Sequence, residues 1–216
     1  MKYLLFDLDG TLTDPKEGIT RCFQYALEEF GIHEENLDEL TWVIGPPLME
    51  SFMQGYGFTK EQAERATAKY RERYVPIGWA ENECYPGITE LLAKLKEAGY
   101  VLALATSKPQ NMAQTIMEHF ELAEYFTFIG GASLDLSRAK KADVIEYVLE
   151  GLKVTDRSEV LMIGDRKYDI LGAKQTGLKS LGVLYGYGDR AELTEAGADA
   201  IAETVEDIFQ KILIFH

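Results

Sequence analysis

From Pro86 onward the chain alternates helix-period patterns with short apolar runs, and this alternation restricts its fold more than any other feature. Helices are expected at Ile88 to Ala98, Asn111 to Phe120, Ala142 to Leu152, Asp169 to Thr176 and near Val205 to Leu213. Strands are expected between them at Val101 to Ala105, Phe126 to Gly130, Val160 to Ile163 and Ser180 to Val183. Strands joined through helices pair in parallel by right-handed crossovers, so the expected class is α/β with a parallel sheet. The apolar run Tyr3 to Asp9 joins that sheet from the amino terminus.

The segment from about Lys16 to Gly78 has a different texture. Ile19, Phe23, Ala26, Leu27 and Phe30 recur at helical spacing, with Gly31 as a stop. Further helices are expected at Leu37 to Val43, at Leu48 to Tyr56 and from Thr59 to Tyr74, where Thr59 and Gln62 form a capping box. This stretch reads as an all-helical insertion after the first strand, connected through Thr13 to Pro15 and Glu81 to Pro86. The expected division is residues 1–14 with 81–216 as the α/β core, and 15–80 as a helical cap hinged on two chain crossings.

A formal charge of -14 and an isoelectric point near 4.7 give a field that repels polyanions. Nucleic acid and anionic membrane surfaces are therefore not expected partners. No apolar run reaches the length of a bilayer span. Met1 leads straight into a strand pattern, so a soluble cytoplasmic protein is expected. Cys22 and Cys84 show no metal-ligand spacing, and no catalytic role is given to either.

In an open parallel sheet, ligands bind beyond the carboxyl ends of the strands. Asp7 and Asp9 stand at the end of the first run, in Phe6-Asp7-Leu8-Asp9-Gly10-Thr11, and residues i and i+2 of a strand point to the same side, so both carboxylates are expected to face one small volume. Like charges held so close require a cation or a retained proton. Gly10 and Thr11 then turn the chain. Thr106 and Ser107 follow the run Val101 to Ala105, in Ala105-Thr106-Ser107-Lys108-Pro109, either as helix caps or as a phosphate seat. Gly164-Asp165-Arg166-Lys167-Tyr168-Asp169 places two more carboxylates at the same edge, and Lys140 and Lys141 stand at a helix start.

In that order, DLDGTLTD, LALATSKP, a lysine before ADVI, and IGDRKYDI resemble the four signatures of the haloacid dehalogenase-like hydrolases, particularly their capped phosphatases such as phosphoglycolate phosphatases and 5'-nucleotidases. The resemblance covers essentially the whole chain. It implies a Rossmann-like core with an inserted helical cap, and a Mg2+-dependent phosphomonoesterase acting on a small phosphorylated metabolite. It further implies Asp7 as nucleophile, forming an aspartyl-phosphate, and Asp9 as general acid and then base. Mg2+ would be held by the carboxylates of Asp7 and Asp165 with the Asp9 carbonyl. Thr106 and Ser107, with Gly10 and Thr11, would bind substrate. Lys141, chosen over Lys140 on family spacing, would offset charge, and Asp169 would support it. Arg166 and Lys167 receive no role.

Relatives with this resemblance also include sugar-phosphate mutases and pyrophosphatases. Asp9 argues against the dehalogenase and phosphonatase branches, which lack the second acid. Residues 32–59 carry no Lys or Arg to hold a second phosphate, and the stiff apolar turn Ile44-Gly45-Pro46-Pro47-Leu48 is expected to reach the site and select monophosphates. A phosphoacceptor signalling domain shares the acid, hydroxyl and lysine set but lacks the helical insertion. A monomer is the expected state.

Overall fold

The computed structural model describes residues 1–135 and 137–215. Among them the elements run as strand β1 (Tyr3–Phe6), strand β2 (Thr13–Asp14), helix α1 (Lys16–Glu28), a 3-10 helix at Leu37–Val43, α2 (Leu48–Tyr56), α3 (Lys60–Tyr74), β3 (Glu83–Cys84) and α4 (Ile88–Glu97). Then come β4 (Val101–Pro109), α5 (Gln110–His119), β5 (Phe128–Ala132), α6 (Lys141–Gly151), β6 (Val160–Gly164), α7 (Lys167–Gln175), β7 (Lys179–Val183), α8 (Arg190–Ala196), β8 (Ala200–Ala202) and α9 (Val205–Ile212). No helix is long and apolar enough to cross a membrane among the described residues.

Two compact units emerge, one of residues 1–14 with 84–216 and one of residues 15–83. In the first, six parallel strands lie in the order β5-β4-β1-β6-β7-β8. Strand β1 is central, with successive crossovers leaving it on opposite sides, and a crevice forms at such a switch point. Register explains the core beneath it: Leu5 lies opposite Ala103 and Met162, and these three bury together against Val144, Ile145 and Val148 of α6. Alternation along β1 thus sends Leu5 to one face while Leu4 and Phe6, equally buried, go to the other.

The second unit is helical. Thr59 caps α3 by accepting from the Gln62 amide, while the Gln62 side chain accepts from the Thr59 amide. Gly31, at φ +72°, lies just past α1. Phe23 of α1 stacks on Phe52 of α2 with centroids 4.2 Å apart, and Phe52 stacks on Phe58. The expected helix at Leu37–Val43 is 3-10 rather than α, with Asn36 accepting from the Asp38 amide at its start.

Three boundaries differ from the sequence reading in ways that matter for the site. Strand β1 ends at Phe6, so the alternation argument does not carry through to Asp9. Strand β4 continues to Pro109 rather than ending at Ala105, because its pairing with β5 resumes at Pro109 opposite Ala132 after a register shift. Strand β5 starts at Phe128, two residues later than expected. Helix α8 and strand β8 were not foreseen.

Candidate active site

Asp7 is the first residue past β1, and its amide still donates to Ile163 O of the neighbouring β6, at 2.9 Å. That bond continues the ladder one residue beyond the strand and fixes the Asp7 backbone. Asp165 follows β6 directly, and Asp169 is the third residue of α7. Carboxylate oxygens of Asp7, Asp165 and Asp169 all lie within 4.8 Å of one another, and all three residues are buried. Sequence distance is thereby erased by adjacent parallel strands that deliver their ends to one edge.

Lys141 opens α6 and is 6% exposed, whereas Lys140, the residue before the helix, is exposed. Lys141 Nζ lies 2.9 Å from Asp7 Oδ1, 2.8 Å from Asp169 Oδ1 and 3.0 Å from Ala105 O. An ammonium has three N–H groups, and three acceptors surround this one. Burial alone lowers the lysine's pKa, but the charges of Asp169 and Asp7 outweigh it and leave it raised, so it is cationic at neutral pH.

The acids respond in the opposite direction. Burial, then the Asp169 and Asp7 charges, hold Asp165 well above the ordinary carboxylate range. Burial pushes Asp169 up to about 6 against the pull of Lys141. Three close carboxylates face one ammonium, an excess of negative charge that buried surroundings cannot screen. An all-oxygen donor set with that excess fits a hard divalent cation.

Asp9 goes elsewhere. It forms a bridge to Thr13 beyond the strand, and its Oδ2 lies 2.6 Å from Lys108 Nζ. Its Oδ1 is buried with no hydrogen-bond partner. Burial raises the pKa of Asp9, opposed chiefly by Lys108. Thr106 and Ser107 lie within β4, not at the cap of α5, which starts after Pro109 with no side-chain cap. Thr106 Oγ1 accepts from the Lys108 amide at 3.2 Å.

The turn after Asp9 packs closely under Asp165. Gly10 has φ +82°, a conformation costly for residues with a Cβ, and a side chain there would overlap the Asp165 carboxylate. Thr11 is fully buried, its hydroxyl 3.4 Å from Asp165 Oδ1.

The segment Leu184–Asp189 was absent from the sequence-derived site. Its Tyr187 amide donates to Asp165 Oδ2 at 2.8 Å, and the Tyr185 hydroxyl donates to Thr11 O at 2.8 Å. Gly186 lies against Gly10 O and Asp165 with no room for a Cβ, and the Tyr187 hydroxyl donates to Asp14. The available signal was position: this segment follows β7 at the same sheet edge, with glycines at 186 and 188 that permit close backbone approach. Arg166, also without an assigned role, pairs with Glu192 of α8 at 2.9 Å.

Residues 4–183 match the family model of the haloacid dehalogenase-like hydrolases. A protein of Pseudomonas aeruginosa named 5'-nucleotidase is 47% identical over 192 residues, covering 88% of this chain and 86% of its own. A Mycobacterium tuberculosis protein named tyrosine-protein kinase PtkA is 39% identical over 209 residues, covering 95% of this chain and 70% of its own. The crystal structure of a protein described as a predicted phosphatase, from Clostridium acetobutylicum, superposes with a TM-score of 0.95 at 46% identity, covering 99% of this chain and 98% of that one.

Proposed function

Because the chain belongs to the haloacid dehalogenase-like hydrolases, we propose that its buried acid cluster is the centre of a Mg2+-dependent phosphatase for small phosphate monoesters. The observation that carries this reading is the placement of Lys141 between Asp7 and Asp169, beside Asp165, at the carboxyl edge of the central strands. Such a site favours a phosphoryl group whose charge must be neutralised as it moves.

The carboxylates of Asp7 and Asp165 and the Asp9 carbonyl would hold Mg2+, with Asp169 close enough to complete the set. When bound, the ion supplies charge neutralisation to the substrate's phosphoryl oxygens. Asp7 attacks phosphorus as a carboxylate, forming an O–P bond while the ester P–O bond breaks. Asp9 gives its proton to the departing oxygen. Water then attacks the aspartyl-phosphate with Asp9 accepting its proton, the bond to Asp7 breaks, and phosphate leaves. Lys141 balances charge between nucleophile and phosphoryl group, while Thr106 and Ser107 seat the phosphoryl oxygens and Gly10 and Thr11 shape the turn that receives them.

Residues 15–83 serve as the cap that selects among esters, with the Ile44–Pro47 turn as one determinant. Nucleoside 5'-monophosphates are the favoured substrate class, supported by the Pseudomonas aeruginosa relative. The relative named a tyrosine-protein kinase supports a second reading, in which the phosphoryl group passes to a hydroxyl acceptor instead of water. Both readings are tested by following inorganic phosphate from nucleotides, phosphoglycolate, sugar phosphates and pyrophosphate with Mg2+, with and without a tyrosine peptide. The proposal expects continuous phosphate release, highest in catalytic efficiency for a nucleotide; phosphorylated peptide without free phosphate favours the transferase, and turnover equal without divalent ion contradicts the proposal.

A further inference from the structure

Two lysines divide the acids of this site between them. Lys141 serves Asp7 and Asp169, and Lys108 serves Asp9. The side chains of Lys108 and Asp9 are only 6% and 13% exposed, so their 2.6 Å contact is not a screened surface pair. Lys108 reaches Asp9 because β4 runs past its irregularity at Ala105, and the Thr106 hydroxyl holds the Lys108 amide. The ion pair takes one oxygen of Asp9 and leaves the other, Oδ1, buried and unpartnered. A buried acceptor without a partner is costly, and it is maintained where a ligand or reacting atom completes it.

We infer that Lys108 is a positioning residue for proton transfer: it clamps Asp9 by Oδ2, so that Oδ1 is the oxygen presented to the departing ester oxygen and later to water. This inference rests on the acid–base role proposed for Asp9. The clamp has a second effect on geometry. With its carboxylate held toward β4, Asp9 is kept from joining Asp7, Asp165 and Asp169 as a fourth ligand, where its oxygens would be occupied and no longer able to transfer a proton. Lys108 thus separates a proton-handling acid from a cation-holding cluster built from the same residue type.

The test exploits the fact that a poor leaving group needs a proton and a good one does not. Single-turnover phosphorylation of the Mg2+-loaded protein is measured with an alkyl phosphate and with p-nitrophenyl phosphate, for the parent, Lys108→Met, Lys108→Arg and Asp9→Asn. Lys108→Met is expected to slow the alkyl ester by about 10²-fold, the lower end of general-acid contributions, while p-nitrophenyl phosphate changes only a few-fold. Lys108→Arg, which retains a cation able to pair with Asp9, is expected to recover most of the alkyl rate. Equal losses for both esters, or no loss for either, overturn the positioning role. Asp9→Asn separates the two levels: if it leaves the alkyl rate unchanged, the acid–base reading itself fails. If it is severe while Lys108→Met shows no leaving-group dependence, only the role of Lys108 fails. Should Lys108→Met fold poorly, the same comparison made with Lys108→Gln, which keeps a polar side chain without the cation, decides the matter: a larger loss for the alkyl than for the aryl ester supports the clamp, and equal losses overturn it.

Discussion

At the scale of single residues, the choice between two adjacent lysines shows how position decides chemistry. Lys140 precedes α6 and faces solvent, while Lys141, one residue on, turns into the acid cluster. Removing a buried cation from between two carboxylates leaves them uncompensated, and electrostatic stabilisation of the transferring group is lost with it. Lys141→Ala is therefore expected to lower kcat by about 10²–10³-fold, and Lys140→Ala to leave it within about 3-fold, as for an exposed charge. Steady-state phosphate release measures both, and the reverse ranking contradicts the assignment. Titration gives a second prediction. Asp169 moves from an ordinary 3.8 up to about 6 in the fold, so between those values the folded chain holds more protons than the unfolded one. That excess makes its contribution to stability fall as pH rises through the window. A divalent cation relieves the same charge, so the rise in unfolding temperature produced by Mg2+ is expected to grow between about pH 5 and pH 7, with protons released on binding. A pH-independent increment would count against the cluster as the cation site.

At the scale of elements, backbone segments carry as much of the site as side chains do. The turn at Gly186 lies against Gly10 and Asp165 with no space for a methyl group, and its neighbour Tyr187 supplies an amide to Asp165. Gly186→Ala is expected to push this segment from Asp165 and weaken Mg2+ binding by about 10–100-fold, the range for disturbing an outer support of a metal site. Calorimetric titration with Mg2+ checks it, and unchanged affinity would remove the segment from the site. Asp7 and Asp165 were legible because each stands directly after an apolar run, in DLDGT and in IGDRKYD, where strand ends meet a common edge, and Asp169 follows within the second of these segments. Lys141 was legible through the helix that starts there. Strand alternation does not reach Asp9, since β1 is only four residues long and ends at Phe6, and the pairing of its carboxylate with Lys108 is a contact that alternation does not announce. Lys108 is not legible in the sequence because the apolar run ends at Ala105, four residues before β4 does, which places it in a loop. The tyrosine segment escaped notice because its contribution to Asp165 is a backbone amide, which no residue type announces. Strand β8 is Ala-Ile-Ala, too short for alternation to register.

At the scale of the whole molecule, a chain of formal charge -14 is read as handling an anionic ester by concentrating positive charge locally. Two buried lysines and a proposed divalent cation oppose the surrounding field within the site, while the remainder of the surface repels larger polyanions. Residues 15–83, proposed as the cap, contribute selectivity rather than the bond-making groups, all of which come from the parallel-sheet unit. Pro47→Asp is accordingly expected to change the ratio of catalytic efficiencies between a nucleotide and phosphoglycolate by about 10-fold, the scale on which a single pocket contact discriminates. A screen returning an unchanged ratio would exclude that turn from substrate selection. The central claim is that Asp7 itself receives the phosphoryl group. Acid-quenching the Mg2+-loaded protein during turnover of a radiolabelled ester, followed by peptide mapping, measures this directly. The account predicts label on the peptide bearing Asp7 and none in Asp7→Asn; an unlabelled protein during undiminished hydrolysis, or label on another residue, would contradict it.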